Sequence, residues 1–171
     1  MISNILKSSN STTGANKYGQ FLYETDCNCG DLHILIRDVY WKSCRLSHVV
    51  SHTILNIFSK FALKNVVHDF ISCRFKCLKC NKKGNITIDY GSAGCEINFG
   101  KFWKVSHFGK NERLFLNTGK LTLHDIKDHV NVLIEEKYKS ETYHPIKNNC
   151  QHFAEDLYNI IDNHLKKSRF Q

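Results

Sequence analysis

Residues 66–76 alternate apolar and polar side chains and are rich in Val, Ile and Phe, and residues 85–90 repeat the pattern. Between them lies a polar turn through Cys77, Cys80 and Gly84. Two alternating runs joined by such a turn predict a long β-hairpin. A hairpin does not hold its shape alone in water, so the rest of the chain must supply strands and helices to cover it.

The flanking sequence supplies both. Gly30-Asp31 marks a turn, and residues 32–37 predict a short strand. Residues 96–105 predict another strand, or a pair of short strands around Gly100. Residues 46–64 place Leu46, Val49, Val50, Ile54, Ile57, Phe58, Phe61 and Ala62 at spacings of three to four, opposite His48, Ser51, His52, Ser59 and Lys60. That is an amphipathic helix, docked on the core or serving as a lid or membrane-surface helix. Thr122 and Asp125 form a helix start for residues 123–139, with His124 and His129 on its exposed side. Asn149 caps a last helix from Cys150 to about Leu165, carrying Phe153, Leu157, Ile160 and Ile161 on one side. The fold class is therefore α+β, a small antiparallel sheet packed by helices. A polar arm over 1–19 precedes a single domain over 20–171.

Composition narrows the function. The 171 residues are 42% hydrophobic and 23% charged with one proline, which excludes fibrous and disordered classes. The net charge is +8, mostly scattered lysine. Base readers and phosphate clamps lean on the arginine fork, so no specific nucleic-acid partner is expected. No signal peptide and no spanning apolar run are visible, which predicts a cytoplasmic protein with reduced cysteines. The basic surface and the 46–64 helix leave room for peripheral membrane contact.

The chemistry concentrates at Asn148-Asn149-Cys150-Gln151-His152-Phe153. A thiol on the first residue of a helix sits among free backbone N–H groups at the positive end of the macrodipole, which favours the thiolate. Such a nucleophile needs a base. His152 lies two residues along the helix, about 200° around its axis, and points away. His68 opens the first hairpin strand, and Asp89 closes the second. Antiparallel pairing brings these ends together if the register puts both on one face. Cys150, His68 and Asp89 are then nucleophile, base and orienter. Backbone N–H groups at the helix start are the expected oxyanion donors.

Of the other cysteines, Cys77 and Cys80 are spaced as half of a zinc site at the hairpin tip. Cys27 and Cys29, or Cys73, are the nearest candidates to complete it. Free thiols, a structural zinc and a disulfide remain the alternatives. Cys44 and Cys95 read as small buried residues or free thiols.

Gly30-Asp31-Leu32 with Arg37, His68-Asp69-Phe70-Ile71, Ile88-Asp89-Tyr90-Gly91 and Asn149-Cys150-Gln151-His152-Phe153 together resemble lecithin–retinol acyltransferase-like (LRAT) proteins. These are circularly permuted members of the NlpC/papain-like thiol enzymes. Asn148-Asn149-Cys150 with His152-Phe153 is equally similar to the motif of the permuted PPPDE peptidases. Asp89 stands where many acyltransferase-like members carry a second histidine. The resemblance implies a permuted papain-like topology, histidine strand first and cysteine helix last. It implies a hydrolase or acyltransferase working through an acyl-thioester, with an acyl-lipid or peptide substrate and no required cofactor. The competing expectations are a PPPDE-type (iso)peptidase and an inactive, zinc-stabilised binding module.

Overall fold

The computed structural model describes residues 21–24, 26–45, 67–102, 111–115, 121–144 and 147–168. The arm over 1–19 and the helix expected over 46–64 lie outside the described residues. Six strands form one sheet: β1 (Phe21–Tyr23), β2 (Ile34–Arg45), β3 (Val67–Cys77), β4 (Lys83–Gly91), β5 (Gly94–Phe102) and β6 (Asn111–Phe115). Two helices follow, α1 (Leu123–Glu136) and α2 (Cys150–Lys167). The class is α+β.

The strand order is β1-β5-β4-β3-β2-β6, and every pairing is antiparallel. The β3–β4 hairpin is the expected one, within a residue or two at each end. Its far end is closely packed. A Cβ on Gly84 would meet Glu24 Oε2 at 2.6 Å and the Phe75 ring at 2.8 Å. The space it leaves lets the Glu24 carboxylate accept the Asn85 amide N–H and side-chain NH₂, each at 2.8 Å.

The strand expected over 32–37 is corrected in both directions. Asp31–His33 is a single 3-10 turn entered through Gly30 at φ 91°, where the left-handed backbone suits glycine. The strand proper begins at Ile34 and runs on to Arg45. Its pairing with β3 slips by one residue between Ile36 and Asp38. This bulge flips the inward set from Ile34 and Ile36 to Val39, Trp41 and Ser43. Of the strand expected over 96–105, residues 103–105 lie outside the described residues, and the rest falls in the single strand Gly94–Phe102, inside which Gly100 adopts φ 146°.

α1 carries the expected capping box. Thr122 Oγ1 accepts the Asp125 N–H at 3.3 Å, and Asp125 Oδ2 accepts the Thr122 N–H at 2.8 Å. Its apolar stripe of Leu123, Ile126, Val130, Leu133 and Ile134 is buried. α2 buries Phe153, Ala154, Leu157, Ile161 and Leu165 at the same helical spacing. α2 lies over β3 and β4 and packs against α1, so the core sits between one sheet face and the helix pair. His124 is exposed as expected, but His129 is half-buried, its Nε2 lying 3.2 Å from His164 Nδ1 on α2. No described helix is long and apolar enough to cross a membrane.

Candidate functional site

Cys150 is the first residue of α2 and is 7% exposed. Asn149 is its N-cap: the side-chain Oδ1 accepts the N–H groups of Gln151 at 3.0 Å and His152 at 3.3 Å. The same oxygen accepts Nδ1–H of the His152 ring at 2.9 Å. His152 therefore braces the cap and does not serve the thiol. Two of the helix-start amides are already taken, which leaves the N–H of Cys150 itself as the donor outside the cap.

The loop before α2 is tied down by Asn148. Its side-chain NH₂ donates to Lys137 O at 3.0 Å and to Thr142 O at 3.1 Å, and its backbone pairs with His144. Beneath the helix start lies an aromatic cluster. Tyr90 sits 5.4 Å from Phe153, 5.2 Å from Tyr138 and 5.5 Å from Tyr143, centroid to centroid.

Ile71 pairs with Ile88, which sets Phe70 opposite Asp89 one step further along the hairpin. His68 is two residues beyond Phe70 on the same side, the diagonal neighbour of Asp89. The register condition is met. His68 Nε2 lies 3.3 Å from Asp89 Oδ2, with His68 13% and Asp89 25% exposed at the side chain. The Phe70 ring stacks on the imidazole at 6.3 Å. Burial disfavours a charged His68. Hydrogen bonds to Asp89 and then to Cys150, with the charges of both, outweigh it and push the pKa up to about 10. The structure thus pairs His68 with Asp89, and the electrostatics of His68 register Cys150 as its second partner.

Neighbouring groups that could compete are accounted for. Asp69 is turned to other partners, accepting Trp41 Nε1–H at 2.9 Å and Ser43 Oγ–H at 2.6 Å. Cys95 is opposite Tyr90 in the ladder. Burial, then the Asp89 and Glu96 charges, push its thiol well up, so it stays protonated beside the site. Tyr143 was not singled out by sequence. Burial, followed by the charges of Cys150 and Tyr90, raises its phenol above the usual range, and its ring packs on Tyr90. Its only signal was an aromatic in the loop leading into the Asn148-Asn149-Cys150 motif.

The four cysteines Cys27, Cys29, Cys77 and Cys80 gather at the other end of β3, their sulfurs all within 4.8 Å of one another. This cluster could bind a metal ion. The backbone N–H of Cys80 and then burial act in opposite directions on Cys77, and the amide prevails, drawing that thiol down to about 6. Cys73 is not part of the cluster. It is buried in the core, which pushes its thiol up to about 12.

No protein-family model, curated protein or solved structure matches this chain.

Proposed function

We propose that this chain is a cysteine-dependent hydrolase or acyltransferase with Cys150 as nucleophile. The observation that carries the reading is the His68–Asp89 pair, whose imidazole has as its second electrostatic partner the thiol of a capped helix start. The order of histidine strand before cysteine helix supports a circularly permuted papain-like topology of the LRAT kind.

The chemistry follows from the partners. Asp89 accepts Nε2–H, which fixes the imidazole and leaves Nδ1 to exchange a proton with the thiol. His68 holds the proton it shares with Cys150, as its raised pKa requires, and the sulfur attacks an ester, thioester or amide carbonyl. The carbonyl oxygen gains the negative charge, and the Cys150 amide is the helix-start donor for it. Collapse breaks the bond to the leaving group, which departs with the proton from His68. Water or a second acceptor then attacks the acyl-thioester, losing its proton to His68, and the thiol is regenerated. The +8 charge and the apolar stripe over 46–64 favour an acyl-lipid substrate met at a membrane surface. No cofactor enters these steps. Zinc, in this reading, is structural and held at Cys27, Cys29, Cys77 and Cys80, away from the reacting atoms.

A thiol-directed acyl probe tests the assignment. Wild type is expected to label at Cys150, Cys150→Ala not at all, and His68→Ala more slowly by about 10²–10⁴-fold. Unlabelled wild type, or equal labelling of His68→Ala, rejects the catalytic reading in favour of a binding module. A ubiquitin-type electrophile used in parallel distinguishes the peptidase alternative from a lipid enzyme.

A further inference from the structure

We propose that Cys27, Cys29, Cys77 and Cys80 form a tetrathiolate zinc centre that clasps the segment before β2 onto the tip of the β3–β4 hairpin. Zinc bonds thiolate sulfur at about 2.3 Å, so a tetrahedral site sets its sulfurs about 3.8 Å apart. The Cys27 and Cys80 sulfurs are 3.4 Å apart, and none of the four sulfurs is further than 4.8 Å from another. Only a small adjustment separates this arrangement from a closed four-sulfur site. The sulfurs come from two separate turns, Cys27-x-Cys29 and Cys77-x-x-Cys80, so a metal would join distant parts of the chain.

The backbone at the hairpin tip is shaped for this. Asn81, just after Cys80, has φ 59°, the one non-glycine residue in the left-handed region among those described. Asparagine tolerates that conformation better than most residues. The turn it completes brings the Cys80 N–H to Cys77 Sγ at 3.5 Å and the Cys77 N–H to Lys82 O at 2.8 Å. An amide pointing at a sulfur supports a thiolate ligand. Leu78 N–H donates to His33 O at 2.8 Å, and Lys82 Nζ to Asp26 O at 2.8 Å, so both turns are already stitched together. Four thiolates around one Zn²⁺ carry a net charge of −2, and Lys79, Lys82 and Lys83 flank the cluster to offset it.

The centre is structural by position. Cys77 ends β3 and His68 is near its start, nine residues away, or about 30 Å along an extended strand. Zinc here would replace the apolar contacts that the exposed hairpin tip lacks.

Protein purified under reducing conditions without added metal is expected to hold one zinc per chain by elemental analysis. Exchange for Co²⁺ should give the intense thiolate-to-cobalt absorption of a tetrahedral sulfur site. Cys80→Ser should lose the metal, Cys80→His should keep it with an altered cobalt spectrum, and Cys150→Ala should keep one equivalent. A chelator should lower the thermal midpoint of wild type, and zinc should restore it, which covers the case in which Cys80→Ser does not fold. Wild type with no bound metal and no thiolate band with Co²⁺ overturns the proposal. So does a non-reducing peptide map showing Cys27 joined to Cys80. None of these readouts depends on Cys150 chemistry.

Discussion

His68 is pulled two ways. Burial works against its positive charge, while Asp89 and the Cys150 sulfur work for it, and the partners win. The folded protein therefore holds this proton up to about pH 10, where the unfolded chain releases it near 6.5. Between those values the folded state binds more protons, so stability falls as pH rises; below 6.5 the contribution is complete, and above 10 it is gone. Asp89→Asn removes the larger favourable partner. It is expected to flatten that fall, read as the urea midpoint against pH, and a slope unchanged from wild type would contradict the pairing. The carboxylate was legible in the sequence because hairpin geometry brings the two strand ends together. Tyr143 was not, because a lone loop aromatic gives no sign of what it faces.

Among the elements, the helices were easiest to read and the edge of the sheet hardest. α2 declared itself through an N-cap and a regular apolar stripe, and its start depends on Asn149. Asn149→Ala is expected to cost about 1 kcal/mol in thermal unfolding, and Asn149→Asp, which can still cap, much less. Equal effects of the two would show that the cap oxygen contributes little. β2 shows why strands are harder. Its apolar run Ile34-Leu35-Ile36 ends at Arg37, and the bulge there moves the inward positions from even to odd numbers. A period-two reading stops at that point, although the strand continues to Arg45. β6 was missed for another reason: five residues on a sheet edge carry too little pattern to stand out.

At the scale of the whole molecule, one core joins the sheet to both helices. Leu157 is fully buried within it, on the helix that carries the thiol. Leu157→Ala is expected to cost about 2–5 kcal/mol. Fluorescence and circular dichroism should still lose signal together in denaturant, both midpoints moving by the same amount. Separate midpoints would mean that the helices and the sheet unfold independently. The class could be read from patterning alone. The four cysteines were legible as candidates, with Cys73 as the alternative to Cys27 and Cys29; which set meets was decided only by the assembled sheet, which brings together two turns some fifty residues apart. The same topology also sets an order in time. The ladder from β2 to β5 precedes α2 in the chain, so His68 and Asp89 leave the ribosome well before Cys150. During synthesis the imidazole has no sulfur beside it. The proposed thiol chemistry has no nucleophile in any nascent chain too short to have released its last helix.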